Sequence, residues 1–187
     1  MFTETINGIK LVFETRSNSF SPHSVDKGTL AMISTIDFSS PNKLLDLGCG
    51  YGVVGIYAAK LNGNLSITMS DIDEECIRLS RKNAVLNEVS GVKIIHSDGF
   101  KSIEDNDFTL ILSNPPYHTD FSVPKHFIEK GFNRLLLGGK LVMVTKRKDW
   151  YKNKLTSIFG GVKIDEIDDY YVFCAEKRAF QYAKHRT

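Results

Sequence analysis

The spacing of apolar and polar positions divides the chain into short strands and amphipathic helices. Thr5-Ile6 and the alternating Ile9-Lys10-Leu11-Val12-Phe13 flank Asn7-Gly8, so residues 3–15 read as a β-hairpin with a two-residue turn. An apolar helix over 30–36 follows. Residues 43–47 form an apolar run typical of a buried strand, and the apolar positions from 53 onward predict a helix over 53–61. A second strand is expected at 65–69. In the helix after it, Ile72, Cys76, Leu79 and Leu86 share one face and are assigned to the core, with Asp73 as the cap and Glu74 and Glu75 in the first turn. Further strands are expected at 92–95 and 108–112. The next helix carries Phe127, Ile128, Phe132, Leu135 and Leu136 and is expected to end at Gly138-Gly139. A strand at 141–144, a helix to Phe159 and two adjacent strands at 162–167 and 170–175 complete the pattern. Strands and helices thus alternate from 43 to 159, which argues for an α/β fold with a doubly wound, mostly parallel sheet and an added N-terminal β-hairpin.

A length of 187 residues suits a single domain with one core. It is expected to divide into a hairpin and helix (1–42), a core (43–177) and a basic tail (178–187). The 42% hydrophobic and 25% charged content is that of an ordinary globular chain and excludes a disordered one. No apolar run approaches the roughly 20 residues needed to span a bilayer, and no basic region precedes an apolar core at the start. A cytoplasmic protein with no membrane partner is therefore expected. The cysteines Cys49, Cys76 and Cys174 are odd in number and lack metal-type spacing, so they read as reduced thiols and no metal site is expected. A net charge of +2 permits an RNA partner without arguing for one.

Candidate chemistry centres on Asp46-Leu47-Gly48-Cys49-Gly50-Tyr51-Gly52, placed between the first buried strand and its helix. Strand, glycine turn and helix present backbone N–H groups to a ligand, and Gly48, Gly50 and Gly52 let that ligand approach closely. Gly50, Gly52 and Gly55 also match the dinucleotide spacing. However, Asp46 is a poor neighbour for a pyrophosphate and a good one for an ammonium group. S-adenosylmethionine (SAM) carries an ammonium and a sulfonium and no phosphate, so it fits where a nicotinamide dinucleotide does not. Asp71, at the end of the second strand, stands where a ribose diol is gripped.

A second motif, Asn114-Pro115-Pro116-Tyr117-His118, follows the fourth core strand. With the glycine-rich turn, it resembles the class I SAM-dependent methyltransferases that modify amino or amide nitrogen. Phe20-Ser21 followed by Asp26-Lys27-Gly28-Thr29 resembles the segment that folds over the cofactor pocket in ribosomal RNA guanine-N2 methyltransferases, as do the His after Tyr117 and the closing Tyr171-Val172-Phe173. The resemblance covers nearly the whole chain. It implies a seven-stranded sheet with its last strand antiparallel, SAM as cofactor, and cofactor contacts at Asp46, Gly48, Gly50, Gly52, Asp71, Asp98 and Thr29. Asp98 would accept from the adenine amino group, with Phe100 near the ring; the plainer reading of Asp98 is a loop acid that starts a turn. Those enzymes usually have Phe where this chain has Tyr117, and often an additional N-terminal domain. Asn-Pro-Pro-Tyr also resembles adenine-N6 and protein-glutamine methyltransferases, which stand as the second reading.

The resemblance gives Asn114, Pro115, Pro116 and Tyr117 the catalytic work. An exocyclic amine is a weak nucleophile because its lone pair is delocalised. The Asn114 side-chain oxygen and the Pro115 carbonyl offer two acceptors for its two N–H groups, the prolines stiffen the loop, and Tyr117 offers a face for a flipped base. The expected partner is ribosomal RNA or a ribosomal subunit. Lys146-Arg147-Lys148, Lys125-His126 and the tail residues Lys177, Arg178, Lys184, His185 and Arg186 read either as phosphate contacts or as solvated surface.

Overall fold

The computed structural model describes residues 1–16, 24–89, 91–116 and 120–183. Phe20 and Ser21, Tyr117 and His118, and the tail residues Lys184, His185 and Arg186 lie outside the described residues. Strands β1 (Phe2–Ile6) and β2 (Ile9–Phe13) pair as the hairpin, with Asn7 and Gly8 at φ of 49° and 83°, the positive values that a two-residue turn requires. Helix α1 (Lys27–Ser34) follows, capped by Asp26. Then come β3 (Lys43–Leu47), α2 (Val53–Leu61), β4 (Ser66–Asp71), α3 (Glu74–Leu86), β5 (Lys93–His96), β6 (Phe108–Ser113), α4 (Ser122–Arg134), β7 (Leu135–Thr145), α5 (Lys148–Phe159), β8 (Lys163–Ile167) and β9 (Tyr170–Glu176).

Seven strands form one sheet in the order β5-β4-β3-β6-β7-β9-β8. The five from β5 to β7 run parallel, and β9 runs antiparallel to both β7 and β8. The period-two alternation of strands sends Leu44, Leu110, Leu112, Val142 and Val144 to one face, where α1, α2, α3 and the hairpin cover them. Leu45, Leu47, Ile111, Leu141 and Met143 face the other way and pack under α4 and α5. Strand β3 lies between β4 and β6, so the strand order reverses there. The carboxyl ends of β3 and β6 consequently open a crevice, the position where such sheets bind ligands.

The hairpin docks through α3 rather than by joining the large sheet. Asn83 accepts the Glu14 N–H at 2.7 Å and donates to the Glu14 carbonyl at 3.0 Å and the Tyr51 carbonyl at 2.9 Å. One turn later, Asn87 accepts the Val12 N–H at 2.9 Å and donates to the Val12 carbonyl at 2.7 Å. Two asparagines four residues apart thus serve the free edge of β2 as a neighbouring strand would. Phe2 and Phe13 pack against Tyr51 in the glycine turn, tying the hairpin to the crevice.

Two expectations need correction. The buried face of α3 is not Ile72, Cys76, Leu79 and Leu86. Ile72 precedes the helix and is 62% exposed, Leu86 is 38% exposed, and only Leu79 of the four is buried. Ile77, Ser80, Asn83 and Ala84 are buried with it, and two of these are polar because they hydrogen-bond backbone groups of the glycine turn and hairpin. Helix α4 ends at Arg134, and Leu135, Leu136 and the Gly138-Gly139 pair belong to β7. A Cβ at Gly139 would sit 2.7 Å from the Phe108 carbonyl oxygen and 2.9 Å from that of Leu136. Gly139 permits a close backbone approach where the β6–β7 register shifts, and Gly138 takes a positive φ of 84°; the pair is not a helix stop.

Candidate active site

The crevice holds two cavities, of about 280 and 320 Å³, whose walls share Gly48, Asn114, Pro115 and Pro116. They are two lobes of one cleft, of a size suited to a small molecule. Asp26, Thr29, Asp46, Gly50, Tyr51 and Cys76 are in the wall of the first lobe. Asp71, Ser97, Asp98, Val123 and Phe127 are in the wall of the second. The topology therefore gathers the described residues assigned from sequence to cofactor and catalysis, except Gly52, which caps α2 with φ of 96°, and Phe100. Tyr117 lies outside the described residues.

The glycines act in two ways. Gly48 and Gly50 have φ of 75° and 57°, and a Cβ at either would meet no atom within 4 Å, so each leaves bare backbone beside open space. Gly55 instead meets the sheet: a Cβ there would come within 2.2 Å of the Met69 sulfur. Its absence lets α2 settle onto β4 and brings the Gly55 N–H within 3.0 Å of Asp46 Oδ2.

Asp46 is 3% exposed. Burial pushes its carboxyl up to about 7, the Gly55 N–H opposes that rise, and the Asp71 charge adds to it. Asp71 accepts the Gly50 N–H on one oxygen and the Asp73 N–H on the other, both at 2.9 Å. Burial raises its pKa too, against those backbone hydrogen bonds. Asp98 is half exposed and is held at 2.5 Å by Lys101, whose ammonium keeps its carboxyl below the usual range. Four carboxylates thus surround the cleft, and Arg16, in the wall of the first lobe, is paired with Asp73 at its rim. The charge pattern suits a ligand that is cationic at one end. The thiols are quiet: burial raises Cys49, and burial with the Asp71 charge pushes Cys76 up to about 12.

At the wall common to both lobes, Asn114 Nδ2 donates to Asp26 Oδ2 at 2.8 Å and to Thr29 Oγ1 at 3.0 Å. A carboxylate can only accept, so the amide nitrogen is the atom that faces Asp26 and the oxygen is turned elsewhere. Among the described residues, nothing donates to that oxygen. The same Asp26 oxygen accepts the Thr29 N–H at 2.9 Å, making one group both the cap of α1 and the clamp on Asn114. Pro115 is buried and Pro116 exposed.

A family profile described as the methyltransferase small domain matches residues 10–174. The chain belongs to this family. Among curated relatives, ribosomal RNA small subunit methyltransferase C of Haemophilus influenzae is 36% identical over 149 residues, 78% of this chain and 44% of that protein. The protein YbxB of Bacillus subtilis is 32% identical over 173 residues, 88% of this chain and 85% of its own length. The chain spans about half the length of the first of these relatives. Among solved structures, a T. Thermophilus 16S rRNA N2 methyltransferase in complex with AdoMet and guanosine superposes with a TM-score of 0.83 at 24% identity, covering 95% of this chain and 50% of that one. A methyltransferase from Pyrococcus furiosus superposes with a TM-score of 0.73 at 19% identity, covering 90% of each chain. These likenesses establish the fold.

Within the cleft, the link between Asp26 and Asn114 was not foreseen. The resemblance places Asp26 in the segment that folds over the pocket, but nothing in its spacing announces a partner 88 residues away. The apolar wall of the second lobe also differs from expectation. Phe100 is 4% exposed and packs in the core, and Val123 and Phe127 of α4 take the place assigned to it.

Proposed function

We propose that the protein transfers a methyl group from SAM to an exocyclic amino nitrogen, guanine N2 of ribosomal RNA, as a cytoplasmic enzyme. The residues present fit the cofactor. Asp46 and the bare backbone at Gly48 and Gly50 would hold the methionine end, Asp71 the ribose, and Asp98 with Val123 and Phe127 the adenine. SAM supplies a methyl group already activated on a sulfonium, so the chain needs no strong general base.

Its task is to orient the amine. Asn114 is suited to this because Asp26 and Thr29 occupy its N–H groups and leave its oxygen as an acceptor at the junction of the lobes. This is the observation that carries the reading. An acceptor fixed in advance costs no reorganisation when the target amine arrives. The Pro115 carbonyl provides the second acceptor on a loop stiffened by two prolines, and Tyr117 the stacking face. The relatives named for ribosomal RNA favour guanine over adenine or a glutamine amide.

Incubation with methyl-labelled SAM and ribosomal subunits lacking the modification, followed by nucleoside analysis, tests the substrate. N2-methylguanosine is expected. N6-methyladenosine, or label in protein alone, would replace this reading with the alternative. In the same assay Asn114→Ala is expected to lower the single-turnover rate by about 10²–10³ with SAM affinity nearly intact, the scale for one preorganised contact. A folded variant at wild-type rate would remove Asn114 from the chemistry.

A further inference from the structure

Strand β7 runs parallel to β6 with Ser113 opposite Met143, so Thr145 ends β7 beside Pro115. The chain therefore leaves the sheet through Lys146-Arg147-Lys148 at the same edge as the Asn114 loop. All three cations are exposed, and each lies over an aromatic ring. Lys146 Nζ is 4.8 Å from the Tyr170 ring centre, Arg147 Cζ 5.0 Å from Phe121, and Lys148 Nζ 4.8 Å from Tyr171. Phe121 is itself stacked on Trp150 at 4.3 Å and 15°, at the foot of the helix that supplies Val123 and Phe127 to the cleft. Tyr170 packs against Gly28, two residues after Asp26, where a Cβ would come within 2.7 Å of the ring.

The three cations are not equivalent. Lys148 faces Glu166 at 3.7 Å. Lys146 directly follows Thr145, and Arg147 reaches Phe121 at the start of the helix that supplies Val123 and Phe127 to the cleft. We propose that Lys146 and Arg147, on the rings of Tyr170 and Phe121, form the track that holds the RNA backbone next to the target nucleotide, with the Phe121–Trp150 stack as a platform for a flanking base. This rests on the RNA methylation proposed above. The rings hold the two cations in place before RNA arrives, and cations interleaved with aromatic faces suit a strand that alternates phosphate and base better than they suit an acidic protein surface. Lys148, paired with Glu166, is left outside the track.

The test is RNA binding by the full chain against salt, with a fluorescent single-stranded RNA of mixed sequence as the probe. Lys146→Ala and Arg147→Ala are each expected to reduce the slope of log K against log salt by roughly 0.7–1, the value for one lost phosphate contact. Lys148→Ala is expected to change it by less than half as much. Phe121→Leu is expected to weaken binding without changing the slope, because a ring neutralises no phosphate. Calorimetry with SAM and a thermal melt on each variant separate these effects from misfolding. Unchanged slopes in folded, SAM-binding Lys146→Ala and Arg147→Ala would overturn the track, even if the wild type methylates ribosomal RNA and the proposed function stands. Equal effects at Lys146, Arg147 and Lys148 would reduce it to general basic attraction and overturn it likewise. Label found only in protein would remove the RNA partner and the proposed function together.

Discussion

Replacing Asp26 with serine separates the two things its carboxylate does. Serine is a good helix cap, so α1 should keep its start at a cost of a few tenths of a kcal/mol. Its side chain is shorter by one atom and uncharged, so it gives up the 2.8 Å contact to Asn114 Nδ2. A hydrogen bond to a charged group is worth about 1.5–3 kcal/mol, and each 1.36 kcal/mol is tenfold in rate, so full loss in the transition state would slow transfer roughly ten- to 150-fold. Thr29 Oγ1 still holds the same nitrogen at 3.0 Å, which places the expectation at the lower end, about ten- to thirtyfold. The assay is single-turnover methyl transfer at saturating SAM, because Asp26 is also in the wall of the first lobe and its loss can weaken cofactor binding separately. Asp26→Ala should add the loss of the cap, about 1 kcal/mol, visible in the melting temperature. Asp26→Asn, whose amide oxygen can still accept from Asn114, should recover most of the rate. Asp26→Ser at wild-type rate under saturation would refute the clamp, as would equal rates for the serine and asparagine variants.

Asp46 makes cofactor affinity depend on pH. Its carboxyl is raised to about 7 and must ionise to pair with an ammonium, so SAM affinity should climb as pH rises toward about 7 and level off above it, and Asp46→Asn should flatten the profile in calorimetry. The same raised value means the folded state holds its proton more tightly than the unfolded chain. The contribution of Asp46 to stability should therefore be complete below the ordinary carboxylate range and be lost as pH rises through about 7, a component absent in Asp46→Asn. Asn83→Ala should cost about 3–5 kcal/mol in denaturant unfolding, because Glu14 N–H, Glu14 C=O and Tyr51 C=O all lose their partner; a loss under about 1 kcal/mol would show the hairpin is not held this way.

The sheet was legible where burial alone decides the pattern. Residues 43–47 and 53–61 match β3 and α2, since a strand covered on both faces must be apolar throughout and the helix on it must be apolar over most of its surface. Period counting failed where a buried face is polar. In α3, Ser80 and Asn83 are fully buried because they satisfy backbone of the glycine turn and the hairpin, so the apolar residues left over, Ile72 and Leu86, traced the wrong face. It failed again at Gly138-Gly139, where Gly138 takes a positive φ of 84° inside β7 and Gly139 answers to the approach of the Phe108 carbonyl, which lies outside any local window.

The site shows the same division at finer scale. Asp46, Gly48, Gly50 and Asn114 could be named because strand ends and glycine turns have fixed places in such a sheet, and the chain cannot move them without breaking β3 or β6. What could not be named is how these residues constrain one another. The resemblance marks Asp26 as part of the segment over the pocket, and its Oδ2 also caps α1 by accepting the Thr29 N–H three residues on. Yet a cap needs only one lone pair, and a carboxylate oxygen has another to offer. Folding α1 beside the end of β6 places the Asn114 amide against it, and the chemistry of the pair then fixes which amide atom points away. The acceptor proposed for the target amine is thus set by a group on a different element, contributed by the segment ahead of the sheet. Catalysis on this reading depends on α1 staying docked, so substitutions that loosen the helix, such as a side chain at Gly28 that collides with Tyr170, should lower the transfer rate even though they touch neither cofactor nor substrate.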